Sequence, residues 1–344
     1  MRAVVGLLAV AWLGAGCSDP GATAVVYTSL EPELLDWAAD AFTQSHPELR
    51  VRFVRLSADE ALERLAAERG APVADAWWGA PSWRLARGAE EGLLATARPT
   101  WADRVPEGLK DAQGRWFGTL GDPLVLAFNT DSVARSVAPR DWLDLLHPRW
   151  SGELLLPEPG RVDAMTALLA WRVWAARAQR GDDFEWMDWF ARLDASRAAY
   201  LSDAGDAARR LHGAEALLAI LPLSAAERAR AAGWAVDYRV PESGTPVLIQ
   251  GVAVVAGAPH AGPAEAFLEW VGSPEAVAGL GARIARVPVP GFPAFAPGAA
   301  PEWAGRVVPA LLPQLVPTDS VATLVDGWVG RWRDDVRGKV ATLF

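Results

Sequence analysis

AVVYTSLEPELLDWAADAFTQSHPELRVRFVRL, residues Ala24–Leu56, reads as strand, helix, strand. Ala24–Tyr27 is a short apolar run rich in β-branched residues, as a strand buried on both faces requires. Thr28 and Glu31 stand at capping-box spacing, and Pro32 in the first turn sacrifices no intrahelical donor. Leu34, Ala38, Ala41 and Phe42 recur at helical spacing and form one apolar stripe. Ser45-His46-Pro47 stops that helix. Leu49, Val51 and Phe53 then alternate with Arg50 and Arg52, the period of a strand. A strand–helix–parallel strand connection crosses over right-handedly in nearly all cases. The loop Thr28–Glu31 is therefore expected at the carboxyl end of the first strand, where open α/β sheets bind ligands.

A chain of 344 residues, 51% apolar and 22% charged, suits two soluble lobes with ample cores. Its start reads differently. Arg2 supplies a positive end, Val4–Leu13 an apolar run too short to span a bilayer, and Gly14-Ala15-Gly16 the small residues before a cleavage point. Residues 1–16 are accordingly expected to be a signal peptide. Cys17, the only cysteine, follows at once, and Leu13–Cys17 reads as a bacterial lipobox whose thiol is diacylated. An ordinary secretory signal with an incidental cysteine is the competing reading. Residues 17–23 would then be a lipidated tether that anchors a periplasmic or cell-surface protein to the membrane. One cysteine allows no disulfide within a monomer. A net charge of −9 without a basic patch excludes a nucleic-acid partner.

Further along, Ser57–Glu60 is a second capping box. Val73–Trp78 reads as the third strand, and Gly79–Ser82 as a turn into a helix closed by Gly92. Trp116–Asn129 is a long apolar run broken by Gly121-Asp122-Pro123. A proline in mid-run predicts an irregular segment crossing into a second lobe rather than a central strand. Leu154–Leu156, Ala198–Leu201 and Ala216–Leu221 read as buried strands. Asp163, Asp203 and Pro222-Leu223-Ser224 open the helices that follow them. Val236–Val240 and Val247–Ala256 are further strands, and the turn Glu242–Pro246 between them returns the chain to the first lobe. Trp171, Trp174, Trp186 and Trp189 read as helix packing rather than a stacking box for a ligand.

Signals for catalysis are missing. His46, His147, His212 and His260 are scattered without metal-ligand spacing, and no nucleophile elbow or phosphate loop occurs. What recurs is a geometry: Thr28–Glu31, Gly79–Ser82, Gly160–Asp163, Ser202–Ala204 and Pro222–Ser224 each carry a strand end into a helix start. Each helix start offers unpaired N–H donors and about half a positive charge, so loops converging from two lobes suit an anion or a polar small molecule. Binding without chemistry is the expectation: not an enzyme, with no cofactor and no bound metal.

AVVYTSLEPELLDWAADAFTQSHPELRV, ADAWWGAPSWRLARGAEEGLL, WFGTLGDPLVLAFNTD, PRDWLDLLHPRWSGELLLPEP and GTPVLIQGVAVVAGAPHAGPAEAFLEWVGSPEAV occur in this order and are followed by a helical tail. Together they resemble the solute-binding proteins of bacterial ABC importers, in the branch that contains the ferric-iron-binding proteins. The resemblance implies the α/β two-lobe type II periplasmic-binding fold, with two hinge-crossing strands and one small ligand between the lobes. It implies an ABC permease as partner and a monomer, with residues 24–120 and 248–300 in the first lobe and 121–247 and 301–344 in the second. Iron-binding members use two adjacent tyrosines where this chain has Leu223-Ser224, and their first-lobe histidine and glutamate fall at Glu31 and Ala80. A small polar or anionic solute is the implied alternative, held by Thr28, Ser29, Ser224, Gln250 and Arg161. Glu31, Asp122 and Asp203 would suit an amine on the same ligand, and Trp78 would floor the pocket or fill the core beside it. Helix capping competes with ligand contact for Glu31 and Asp203. A ligand sensor for a signalling partner, or a metal-complex binder with other ligands, are the alternative functions.

Overall fold

β1 (Thr23–Thr28) lies between two parallel neighbours, β2 (Arg50–Arg55) and β3 (Ala76–Pro81), with Val26 opposite both Phe53 and Ala76. The structure, a computed structural model, describes residues 23–180, 184–283, 287–288 and 324–337. The expected signal peptide, Cys17 and the side chain of Trp174 lie outside the described residues, as does nearly all of Val287–Pro301. Thr23, expected to end the tether, instead begins β1.

α1 (Pro32–Ser45) makes the crossover from β1 to β2, burying Leu34, Leu35, Ala38 and Phe42. It starts later than the spacing of Thr28 and Glu31 predicts. Glu31 is itself the N-cap, with ψ at 146° and no side-chain cap bond, while the Thr28 hydroxyl accepts from the Leu30 N–H at 3.2 Å. The residue before a proline is driven out of the helical region, so Pro32 moves the helix start beyond the capping-box register. α2 (Ala58–Ala67) carries the expected reciprocal box between Ser57 and Glu60. β3 also departs from expectation. It begins at Ala76 rather than Val73 and runs on through Gly79-Ala80-Pro81, paired with a later strand, before α3 (Ser82–Glu90) begins. Gly79 sits in a bulge at φ +85°, and a Cβ there would lie 2.4 Å from the Leu30 Cγ, so glycine answers both demands.

The remaining strands are β4 (Phe117–Asn129), β5 (Leu154–Pro157), β6 (Arg197–Leu201), β7 (Leu218–Pro222), β8 (Val236–Arg239), β9 (Val247–Val254) and the short β10 (Val287–Pro288). They complete one curled sheet in the order β2-β1-β3-β9-β4-β7-β5-β6, with β8 and β10 also on β4. The helices are α4 (Asp163–Arg180), α5 (Phe184–Ala195), α6 (Ala204–His212), α7 (Leu223–Ala231), α8 (Ala261–Val271) and α9 (Pro274–Arg283). A last helix, α10 (Val325–Arg331), runs on as a π-helical turn over Trp332–Val336. This is the two-lobe α/β class, with β4 and β9 crossing between the lobes.

β4 is one continuous, fully buried strand and central in the sheet, with a register shift against β9 between Gly118 and Leu120 rather than a break at Pro123. It pairs antiparallel with β9 as far as Pro123↔Val247, and from Leu124↔Pro222 onward with β7. Pro123 has no N–H to donate, and it stands where the partners change; Leu124 donates to the Pro246 carbonyl at 3.1 Å instead. Three apolar cores flank the sheet. One runs along a single face beneath both lobes, from Trp77 and Trp83 to Met165, Trp186, Trp189 and Trp332. A second joins the sheet to α1 and α8, and a third joins it to α6 and α7. Trp171, Trp186 and Trp189 are buried in the first of these, the packing role expected of them.

Gly251 is where β9 approaches its neighbours most closely: a Cβ there would meet the Phe117 carbonyl oxygen at 2.6 Å and the Leu85 Cδ1 at 2.7 Å. Gly251→Ala is expected to cost about 1–3 kcal/mol by overpacking. Urea unfolding should show this as a lower midpoint at unchanged slope; a wild-type midpoint would mean that the crossing strands have slack there.

Candidate functional site

The tips of β1, β3 and β9 meet through one carbonyl. The Ser29 hydroxyl donates to the Gly79 carbonyl at 2.9 Å, and the Gln250 Nε2 donates to the same oxygen at 2.8 Å. The Gln250 Oε1, equally buried, has no hydrogen-bond partner among the described residues. Thr28 is completely buried just behind them. Trp78 is not a floor to this site. Successive strand residues face opposite sides of a sheet, and Trp78 takes the α1/α8 side, 6.0 Å from the Phe53 ring and 5.6 Å from Phe267. Its indole N–H reaches the Thr119 hydroxyl at 3.3 Å.

Asp122 and Ser224 come together from β4 and α7. The Asp122 carboxylate accepts from the Ser224 N–H at 3.1 Å and from its hydroxyl at 2.6 Å, so it caps the first turn of α7 from a crossing strand. Glu31 meets Arg228, one helical turn beyond Ser224, in an ion pair of 2.9 Å that joins the β1–α1 loop to α7. Two other candidates serve their own loops. Exposed Asp203 caps α6, accepting from the Asp206 N–H at 2.7 Å. Arg161, 66% exposed, lies 3.4 Å from the Glu158 carboxylate in the β5–α4 connection.

A cavity of about 290 Å³ opens between the first turns of α2 and α3, the β5–α4 connection and α10, and none of the candidate residues read from the sequence lines it. Arg84 forms its centre of charge: its Nε is 2.6 Å from Asp59 and its Nη1 3.0 Å from Asp326, tying α3 both to α2 and to the C-terminal helix. Gly160, at φ +81°, lets α10 close over the loop, since a Cβ there would lie 2.6 Å from the Val329 Cγ1. The Thr166 hydroxyl accepts from the Gly160 N–H at 2.9 Å. Asp163 lines this cavity and has no hydrogen-bond partner among the described residues. Burial, reinforced by the neighbouring Asp59 charge and opposed by Arg84, pushes its carboxyl up to about 6.

Sequence reasoning missed Arg228, Arg84, Asp59 and Arg333. Arg228 had a local signal, the i, i+4 spacing from Ser224. Asp59 and Arg84 sit in first turns after strand ends, where cap residues drew the attention. Arg333 had none, because only the folding of α10 against α4 and α5 carries it to the cavity. Among the described residues, no three His, Cys, Asp or Glu side chains are gathered as a metal site, and no helix is long and apolar enough to cross a membrane.

The profile of the bacterial extracellular solute-binding proteins matches residues 85–307. A relative from Sinorhizobium fredii, named as an ABC transporter periplasmic-binding protein, is 28% identical over 320 residues, covering 92% of this chain and 87% of its own. A relative from Salmonella typhimurium, named for 2-aminoethylphosphonate binding, is 33% identical over 133 residues, 38% of this chain and 36% of that one. The apo ferric ion-binding protein A of Pasteurella haemolytica shares the fold at a TM-score of 0.76 and 17% identity, over 91% of this chain and 97% of that one.

An acid whose folded pKa lies above its unfolded value of 3.8 binds more protons in the folded state. Its contribution to stability is complete below about pH 4 and is lost as pH rises through about 6. Asp163→Asn should therefore be more stable than wild type at pH 7, with the difference vanishing near pH 4. Thermal unfolding across that range checks it; parallel curves would place Asp163 in water.

Proposed function

We propose that this chain, which belongs to the bacterial extracellular solute-binding protein family, captures one small polar or anionic solute in the seam between its lobes and delivers it to the permease of an ABC importer. Proteins of this family bind and release their solute without altering it, on the outer side of the cytoplasmic membrane. The observation that carries the reading is the cavity walled from both ends of the sheet: Asp59 and Arg84 on the β1–β3 side, Gly160 and Asp163 on the β5–β7 side. A solute shifts a hinge only if it binds the closed form better than the open one, so it must touch both sides. We place the lobe boundaries on the two crossing strands, between residues 120 and 121 in β4 and between 247 and 248 in β9.

The charged contacts across the seam suit a hinge that must reopen. Arg228 and Glu31 keep side-chain exposures of 52% and 27%, and such exposed pairs contribute only about 0–1 kcal/mol each. An organic or anionic solute is favoured over a ferric ion, because the Ser224 hydroxyl is engaged by Asp122 and the Glu31 carboxylate by Arg228. The 2-aminoethylphosphonate relative supports the same chemistry. Lipidation at Cys17 would hold the receptor at the membrane surface.

Native mass spectrometry of protein purified without refolding should reveal one retained small molecule, and titration of the stripped protein with it should give micromolar affinity or better. A chain that retains nothing and binds nothing from a cell extract would defeat the transport reading. For the anchor, Cys17→Ser should move the protein from the membrane to the soluble fraction in the bacterial host; an unchanged distribution would rule out diacylation.

A further inference from the structure

The cavity between α2, α3, the β5–α4 connection and α10 holds three carboxylates, Asp59, Asp163 and Asp326, and two guanidinium groups, Arg84 and Arg333. Arg84 is shared between Asp59 and Asp326 in ion pairs of 2.6 and 3.0 Å, and Arg87 approaches Asp326 at 4.0 Å, so each of these carboxylates has a cationic partner. Among the described residues, Asp163 has neither a hydrogen bond nor an ion pair, and Arg333 has no ion pair. They do not pair with each other, although both line the same cavity. A partly buried carboxylate without a partner is costly, and its cost here shows in the upward push on its proton affinity. An opposite charge brought within a few ångströms removes that cost.

We infer that the cavity is a site for a small zwitterion, whose ammonium sits at Asp163 and whose anionic group sits at Arg333. This rests on the reading of the protein as a solute receptor, and it names the class of solute. The charge count supports it. Two bases against three acids leave the lining one negative charge in excess, which disfavours a polyanion and accepts an ammonium. A lone cation, conversely, would leave Arg333 unanswered. The volume, roughly that of ten water molecules in the liquid, admits a molecule of amino-acid size, and Trp83 offers an apolar wall for its short chain. Arg333 gives the C-terminal helix a role beyond packing. With the π-helical turn that carries Arg333, α10 is a third wall of the site, seated on Gly160 and tied to α3 through Asp326, so solute binding would draw α10 and α3 together as the lobes close.

Calorimetric titration of the full chain with 2-aminoethylphosphonate and β-alanine, against the single-charge probes ethylphosphonate, propionate and ethylamine, tests the inference. At least one zwitterion should bind ten-fold or more tightly than both of its single-charge counterparts. Asp163→Asn should erase the advantage conferred by the amine, weakening the zwitterion at least ten-fold while leaving the matching anion within two-fold. Arg333→Gln, a substitution of an exposed side chain, should weaken zwitterion and anion alike and leave ethylamine unchanged. Zwitterion affinities within two-fold of wild type in both variants would overturn the inference. So would silence toward both zwitterions; if native mass spectrometry then still finds another retained solute, the receptor reading stands and only the solute class falls. If nothing is retained either, both fall together.

Discussion

A strand buried on both faces must find a partner for every backbone N–H and C=O, and β4 meets that demand by changing partners at Pro123. Up to that residue its two edges pair with β9 and β10; beyond it they pair with β7 and β8. The two ends of the sheet are therefore not separate sheets in contact. They share β4, whose neighbours differ on the two sides of Pro123. Gly251, with the Phe117 carbonyl where its side chain would be, shows how tightly the crossing is drawn. Asp122, beside Pro123, then uses its side chain to cap α7, so the crossing strand also sets the start of the helix that bears Arg228.

On either side of this crossing the seam is bridged by charge. Glu31 meets Arg228 on one flank, and Arg84 meets Asp326 on the other. The Glu31–Arg228 pair is exposed enough to contribute little net stability, whereas the Arg84 side chain of the other pair is largely buried. The apolar core beneath the seam is continuous from Trp77 to Trp332. Against that background an uncompensated carboxylate such as Asp163 is a local cost. Natural chains keep such costs where a ligand offsets them.

Where the residues that decided an element were neighbours in the chain, the sequence could be read directly. The parallel pairing of β1 with β2, the capping box at Ser57 and Glu60, the Asp203 cap and the burial of Trp186 and Trp189 all follow from spacing within a few residues. The readings that failed did so where a second interaction outvoted the local one. Thr28 and Glu31 have box spacing, but Pro32 displaced the helix start. Gly79-Ala80-Pro81 has turn composition, but β9 recruited it as strand. Pro123 reads as a strand breaker, yet it costs nothing where the ladder changes partners. Trp78 was ambiguous between pocket and core until the pleat put it on the α1/α8 face.

Periodicity, caps and the order of elements were enough, by themselves, to determine an α/β chain whose strand ends lead into helix starts; the two-lobe receptor with two crossing strands was legible only through the resemblance to the solute-binding proteins. Periodicity and caps are short-range properties, and each is written in a window of ten or so residues. The tertiary structure alone decided which charges meet. Asp59, Arg84, Asp163 and Arg333 come from four separate places in the chain, and no local pattern marks them as a set. They share one cavity because Gly160 leaves room for α10 and because α10 packs its tryptophans beneath the seam. Electrostatic compensation depends on distance in space, and only folding sets that distance.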